Sequence, residues 1–201
     1  MKNSFITVMI IVMTVMSGCS IKEVEKPITM YAVTDTAVKH HVSYHTGKIL
    51  KVERFKSPKY LKNSGIWYKK DTNEMNSYVY ASWSEDFPDM LQNELTGALF
   101  KSGLFKSVYT KYSKIKSDYI LEGEIENAVQ IVSEKESYIE FSIRLYFIDR
   151  INLAFVDSKN FVYREKCDTI DSKGAVKAYN RIIKKLDKDV VLWLKRLVKE
   201  S

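Results

Sequence analysis

The segment Ser137–Asp149 alternates between apolar and polar side chains, and this alternation constrains the fold more than any other feature of the sequence. One set comprises Ile139, Phe141, Ile143, Leu145 and Phe147, and the other includes Glu140, Ser142 and Arg144. Because successive side chains of a strand point to opposite faces of the sheet, this pattern predicts a strand with one face in the core and one in water. Other elements must therefore cover its apolar face.

Two amphipathic helices are predicted to provide that cover. The first has Phe87, Met90, Leu91, Leu95, Ala98 and Leu99 on one face, with Ser84 or Asp86 to cap its start, Pro88 in its first turn and Gly103 after its end. The second begins at Asp171 as N-cap. Its apolar stripe comprises Ala175, Ala178, Tyr179, Ile182, Ile183, Leu186, Val190, Trp193, Leu194 and Leu197. Its length indicates that it spans the whole sheet.

The remaining segments predict further strands and hairpins. They are Ile28–Val33, Lys48–Phe55, Ile66–Lys69, Ser77–Trp83, Phe105–Tyr109, Asp118–Val132 and Ala154–Tyr163. In Asp118–Val132, strict alternation places Leu121, Ile125 and Val129 on one face and Glu122, Glu124 and Glu126 on the other. The order of elements predicts an α+β fold, a two-layer sandwich of a mostly antiparallel sheet with two main helices on one face.

The N-terminus has the pattern of an export signal that ends in a cysteine. Lys2 precedes an apolar run, Phe5–Met16, which is too short for a hydrocarbon core that needs roughly 20 residues. Met16-Ser17-Gly18-Cys19 then resembles a bacterial lipobox, although Met16 stands where Leu is usual. We therefore expect a lipoprotein signal peptide at 1–18, a lipidated Cys19 with a spacer at 19–27, and one domain at 28–201. The alternative is an ordinary signal peptide cut near the same place, which leaves Cys19 as a free thiol.

Composition and charge limit the number of domains, the disulfide content and the kinds of partner. The chain has 201 residues, 45% of them hydrophobic, which suits one globular domain. Its cysteines are Cys19 and Cys167, so lipidation of Cys19 leaves no disulfide framework, and Cys167 is interpreted as a small residue at a strand end. The net charge of +7 is interpreted as a lysine-rich solvated surface. Export argues against nucleic acid as a partner.

Several segments, in this order, resemble the ABC-type transport auxiliary lipoproteins. They are Ser57–Lys62, Ile66–Lys69, Tyr80–Trp83, the helix Phe87–Phe100 followed by Ser102–Phe105, and Asp118–Glu124. The family has Tyr-Arg where this chain has Tyr68-Lys69. The likeness extends from about Ile28 to Leu197, and its implied fold agrees with the one derived above.

The resemblance implies a non-enzymatic periplasmic domain, anchored to a membrane and without cofactor. Its implied partners are an MCE-domain protein and the subunits of an ABC transporter that moves lipids across the bacterial envelope. Ser20, rather than Asp, follows Cys19, which favours the outer membrane, with the domain facing the periplasm. The alternative is a stand-alone periplasmic lipid- or ligand-binding lipoprotein, which requires a cavity between sheet and helices.

Catalytic motifs do not emerge from the sequence. It contains no glycine-rich phosphate loop and no Gly-x-Ser-x-Gly elbow, which disfavours an envelope hydrolase. His40, His41 and His45 lie in a segment without helical character, so a solvated loop is favoured over a metal site. The glutamates of Asp118–Val132 are expected on a wet sheet face, where Arg144 can pair with one of them.

The favoured contact residues are aromatic: Tyr60, Trp67, Tyr68, Tyr78, Tyr80 and Trp83, of which Trp83 and about half the rest are expected in the core. The sequence identifies no specific binding residues among them.

Overall fold

The computed structural model describes residues 26–33, 44–70, 74–110 and 115–200. The signal peptide at 1–18 and Cys19 lie outside the described residues. Within them the strands are β1 (Thr29–Tyr31), β2 (Ile49–Val52), β3 (Gly65–Lys70), β4 (Met75–Trp83), β5 (Ser107–Tyr109), β6 (Tyr119–Val132), β7 (Ser137–Asp149) and β8 (Ala154–Lys166). The helices are α1 (Phe87–Ser102), α2 (Ser172–Glu200) and a short 3-10 helix (Lys59–Leu61).

Strand β6 is the centre of one mixed sheet. One edge of β6 pairs antiparallel with β7 along its length, and β7 pairs antiparallel with β8. The other edge pairs parallel with β2 at Tyr119–Leu121 and parallel with β3 at Gln130–Val132. Strand β4 pairs antiparallel with β3, whereas β1 and β5 pair parallel with β4 and β2. The long pairings are antiparallel, as predicted, and the parallel pairings involve only short stretches.

Both helices pack on one face of this sheet, so the predicted α+β two-layer sandwich is confirmed. At their junction the ring of Phe87 on α1 lies 5.2 Å from the ring of Tyr179 on α2 and 6.2 Å from that of Phe141 on β7. Further along α2, the indole of Trp193 lies 5.8 Å from the ring of Phe161 on β8. Tyr179 also contacts Trp83 of β4, at 5.4 Å. Helix α2 therefore reaches across the sheet from β4 to β8.

A β-bulge in β6 overturns the strict alternation predicted for Asp118–Val132. Up to Ile125 the prediction is correct, because Leu121 and Ile125 are fully buried and the three glutamates are exposed. The register with β7 then shifts between Ile125 and Asn127, after which Val129 pairs with Glu140. Paired side chains share a face, so Val129 points to the outer face rather than beside Ile125, although it is only 4% exposed there. One extra residue reverses the phase, and Ala128 and Gln130 take the core positions instead.

Gly123 makes room for Phe55 where the chain after β2 bulges away from β6, before Lys56 pairs with Glu124. The predicted strand Lys48–Phe55 ends at Val52, and Phe55 packs across β6, where it is only 3% exposed. A Cβ at Gly123 would lie 2.6 Å from Cδ1 of Phe55 and 2.8 Å from Cδ2 of Leu145. Since real Cβ contacts are longer, only glycine leaves room for the ring. The Leu-Glu-Gly sequence in β6 therefore has a packing role.

The predicted helix ends are largely confirmed. Gly103 follows α1 with φ +70°, in the left-handed region that favours glycine, and Pro88 lies in the first turn. Asp86 is the N-cap of α1, although its side chain makes no cap hydrogen bond. Asp171 caps α2, because its Oδ1 accepts hydrogen bonds from the Gly174 N–H at 2.8 Å and from the Thr169 hydroxyl at 2.6 Å.

Replacing Asp171 with alanine is expected to lower the free energy of unfolding by about 1 kcal/mol, because it removes the N-cap of the longest helix. The Thr169 hydroxyl and the Gly174 N–H hold the pKa of Asp171 below its ordinary value of 3.8. The charged cap therefore stabilises the fold fully above that pH and progressively less as the pH falls below it. Urea unfolding between pH 3 and pH 7 measures both effects. Asp171→Asn, which keeps an acceptor, is the control. An equal loss in both variants would contradict the capping role.

Candidate contact surfaces

Three of the predicted aromatic contact residues have structural roles: Trp83, Tyr60 and Tyr78. Trp83 is 2% exposed, and its ring lies 5.6 Å from that of Phe87, so the expectation that it belongs to the core is confirmed. Tyr60 is half-buried beside Trp67, with ring centroids 5.8 Å apart in an edge-to-face arrangement. Its hydroxyl donates to Oδ1 of Asn127 and accepts from the N–H of Ala128, both at 3.2 Å. Tyr60 thus holds the β6 bulge, and burial raises its pKa.

Tyr78 belongs to a second structural group, around the buried amide of Gln130. The Tyr78 hydroxyl donates to Oε1 of Gln130 at 2.8 Å, and the ring lies 4.9 Å from that of Tyr68. Burial is the main cause that raises the Tyr78 pKa. Gln130 is fully buried, and its Nε2 donates to Oγ of Ser137 at 3.0 Å. These bonds satisfy a polar group that the bulge turned into the core.

Cys167 lies at the edge of the same group and fits its predicted role. It directly follows β8, is 6% exposed and lies 3.7 Å from Nε2 of Gln130. Burial raises the pKa of its thiol, which keeps it protonated at neutral pH. A buried, protonated thiol is a poor nucleophile. Cys167 therefore acts as a packing residue at the end of a strand.

The outer face of the sheet carries the predicted row of glutamates. Arg144 pairs with Glu126, with 2.7 Å between Nη2 and Oε1, and its Nε donates to Asn160 at 2.7 Å. A shallow depression of about 440 Å³ adjoins this row. Its lining comprises Glu53, Arg54, Lys56, Glu122, Gly123, Glu124, Tyr146, Ile148 and Phe155. The lining mixes both signs of charge, as expected of a solvated sheet surface.

The histidine segment lies mainly outside the described residues, which include His45 but neither His40 nor His41. The exposed ring of His45 uses Nδ1 to donate a hydrogen bond to the Gly103 carbonyl after α1. In the described part of the chain, no three His, Cys, Asp or Glu side chains are grouped as a metal site requires. His45 therefore connects the segment before β2 to the end of α1.

The first exposed apolar surface lies on strands β1 and β4, and we call it the N-terminal edge. It comprises Ile28, Met30, Val79 and Tyr80, which are 61%, 72%, 75% and 53% exposed. Tyr80 is the member that the sequence identified as a candidate contact residue. The Nζ of Lys26 lies 5.7 Å from the centroid of its ring. The sequence predicts only a strand at Ile28–Val33 and does not indicate that Ile28 and Met30 are exposed.

The second exposed apolar surface is the end of the β7–β8 hairpin, which we call the hairpin tip. It comprises Ile151, Leu153 and Phe155, which are 63%, 88% and 64% exposed. Asp149 shapes the turn by accepting hydrogen bonds from the N–H groups of Ile151 and Asn152, both at 2.9 Å. Three bulky apolar residues so close to a hairpin turn were the available sequence signal. The sequence pattern predicts only a hairpin loop at 149–152 followed by the strand Ala154–Tyr163, and neither prediction indicates exposure of these residues.

The two surfaces lie at opposite corners of the sheet. The N-terminal edge is connected through β4 and β3 to the Gln130–Val132 end of β6. The hairpin tip adjoins the other end, where Tyr119 pairs with Asp149. Strand rise and strand spacing together separate the two surfaces by a distance on the order of 30 Å. The two surfaces are therefore separate from each other.

Comparisons with known proteins give a family and a fold. The model of the family described as ABC-type transport auxiliary lipoprotein component matches residues 31–191. A crystal structure of a Xanthomonas campestris protein of family DUF330 has a TM-score of 0.76 at 17% identity, covering 86% of this chain and 98% of that one. An uncharacterised protein gives a TM-score of 0.63 at 14% identity, covering 84% and 99%. A hypothetical protein of Chlamydia trachomatis gives 0.53 at 9%, covering 77% and 99%. The comparison with curated protein sequences gave no match.

Proposed function

Because this chain belongs to the family of ABC-type transport auxiliary lipoprotein components, we propose that it is a non-enzymatic accessory of an ABC transporter that moves lipid across the bacterial envelope. The observation that carries the proposal is the family match, which covers residues 31–191 and so includes both layers of the sandwich. The direct partner in this proposal is an MCE-domain protein, which binds lipid on behalf of the transporter.

The proposed mechanism is tethering through Cys19, with the domain on the periplasmic side of the outer membrane. The lipobox-like sequence Met16–Cys19 and Ser20 support this anchor and this destination. No helix in the described ranges combines the length and apolar character that crossing a membrane requires. A tether raises the effective concentration of the domain beside a partner in the envelope, so a modest contact surface suffices.

We assign the partner contact to the hairpin tip. Its apolar side chains are large, neighbouring in sequence and remote from the N-terminal edge, where the anchored segment joins the domain. Contiguous exposed apolar residues on a monomer are typical of protein contact sites. Leu153, at 88% exposure, is the most prominent member.

The filled interface between the layers favours this accessory role over lipid storage inside the domain. Four aromatic side chains pack between the helices and the sheet, and each is at most 2% exposed: Tyr179, Phe87, Phe141 and Phe147. Ring contacts connect Phe87 with Tyr179 and Phe141, and Phe147 with Trp193 of α2. A lipid tail would have to displace these side chains.

Co-purification from native envelope tests the partner and its contact surface together. The wild-type chain is expected to retain an MCE-domain protein. Leu153→Asp is expected to retain at most about one tenth of the wild-type amount of MCE-domain protein, because a central apolar anchor commonly contributes more than about 1.4 kcal/mol to binding. Leu153 has φ +51°, a conformation that Asp tolerates, so the fold is expected to persist.

Val162→Asp is the matched control, since Val162 is 73% exposed on β8 but lies outside the hairpin tip. It is expected to retain the partner at the wild-type level. Absence of any MCE-domain protein from the wild-type sample would refute the proposed function. Equal retention by Leu153→Asp would refute the assignment of the contact to the hairpin tip.

A further inference from the structure

The N-terminal edge has an arrangement that packing within the domain does not explain. In β1, Tyr31 packs against the core, whereas Met30 and the preceding residue Ile28 are mostly exposed. Met30 pairs with Ser82, and by the same parallel register Ile28 lies beside Tyr80. The alternation of the strand thus gathers Ile28, Met30 and Tyr80 on the face that points away from the helices.

The position of the N-terminal edge in the sequence places it close to the proposed lipid anchor. Lys26, the first described residue, follows Cys19 by seven residues. Even a fully extended segment of that length spans only about 25 Å. The N-terminal edge is therefore the first part of the domain that the chain reaches from the proposed anchor, and it stays close to the bilayer.

We propose that the N-terminal edge inserts into the interface of the bilayer that carries the anchor. This inference rests on the proposed lipidation of Cys19. Ile28 and Met30 supply apolar side chains whose removal from water is favourable, and with the Tyr80 ring they form one patch that suits the boundary between headgroups and acyl chains. The occupant of the patch is thus the surface of a phospholipid membrane.

Tyr80 and Lys26 give the patch the chemistry of a membrane interface rather than of a buried protein contact. Tyrosine has an apolar ring and a polar hydroxyl, and such side chains concentrate at the headgroup level. The Lys26 ammonium, 5.7 Å from the Tyr80 ring, adds a cation that attracts lipid phosphates. With the edge on the membrane, the hairpin tip lies at the opposite corner of the sheet, away from the anchored segment.

Fluorescence quenching on vesicles tests this orientation. The full chain with Met30→Cys is purified from bacterial membranes, labelled with an environment-sensitive dye and reconstituted into vesicles of phosphatidylethanolamine and phosphatidylglycerol. Cys167 is buried and Cys19 is expected to be acylated, so the new thiol is the reactive one. Lipids with a nitroxide on an upper acyl carbon are expected to reduce the dye emission about twofold or more, because an interfacial apolar face is buried about 5–10 Å into the boundary between headgroups and acyl chains.

Val162→Cys is the matched control, because Val162 is as exposed as Met30 but lies on β8, at the other edge of the sheet. Its dye is expected to keep the same emission with and without nitroxide lipid. Equal quenching at both sites, or at neither site while the protein floats with the vesicles, would overturn the proposed contact. A blue-shifted emission at Met30→Cys without nitroxide quenching would overturn it in favour of a second copy on the patch.

Flotation of the protein with the vesicles distinguishes failure of the membrane contact from failure of the lipid anchor. A labelled chain that does not float with vesicles would refute lipid anchoring, and the membrane contact with it. A chain that floats but shows an unquenched Met30→Cys dye would refute only the contact. Neither result depends on the MCE-domain partner, which is absent from the vesicles.

Discussion

Replacing Cys19 with alanine is expected to release the protein from the membrane fraction. Acylation needs the thiol, and each buried methylene of an acyl chain contributes about 0.8 kcal/mol to membrane binding, so two or three chains hold the domain firmly. Without them, only the small N-terminal edge remains to contact the bilayer. Fractionation of the envelope and palmitate labelling measure the effect. We expect labelling to disappear and most of the protein to become soluble.

Cys167→Ala is the control for this experiment. Cys167 is the other cysteine of the chain and is buried behind β8, so its removal is expected to leave labelling and membrane retention unchanged. Persistent labelling of Cys19→Ala would contradict lipidation at this residue. Loss of labelling with full membrane retention would show that acylation is not the anchor.

Replacing Trp83 with alanine is expected to lower the free energy of unfolding by about 3–5 kcal/mol. Its ring joins the end of β4 to both helices, at 5.6 Å from Phe87 and 5.4 Å from Tyr179. Truncation would leave a cavity between the layers that these rigid rings cannot fill. Urea unfolding of the Cys19→Ala background, which avoids detergent, measures the loss.

Tyr80→Ala is the matched control, because Tyr80 is an aromatic residue of the same strand that is 53% exposed. It is expected to change the free energy of unfolding by about 1 kcal/mol or less, as surface substitutions usually do. Comparable losses in the two variants would contradict the assignment of Trp83 to the core and Tyr80 to a contact surface.

Periodicity predicted the long elements of the fold accurately. Strand β7 has the predicted bounds, and Asp171 caps α2. In these segments one face is apolar over many residues, so the pattern leaves little choice of structure. The short strands were predicted less accurately: the segment predicted at Ile28–Val33 forms a strand only over Thr29–Tyr31. A strand of so few residues depends on its neighbour, which the local sequence does not specify.

The candidate contact surfaces also divide into residues that the local sequence identifies and residues whose exposure depends on the tertiary structure. The sequence selected six aromatic residues, and Tyr80 is the one that the structure leaves largely exposed. It missed the hairpin tip, since an apolar residue in a turn has no periodicity to reveal its environment. Exposure depends on residues far along the chain, such as Tyr179, which covers Trp83.

The sequence by itself determined the two periodicities, the helix ends, the lipobox-like segment before Cys19 and the α+β class, because each depends on residues close together in the chain. Only the tertiary structure decided which strands pair in parallel, where the β6 bulge reverses the faces, and that two apolar surfaces lie at opposite corners of the sheet. These depend on the register between distant strands. A shift of one residue at Glu126 reverses the sheet face to which each following residue of β6 points.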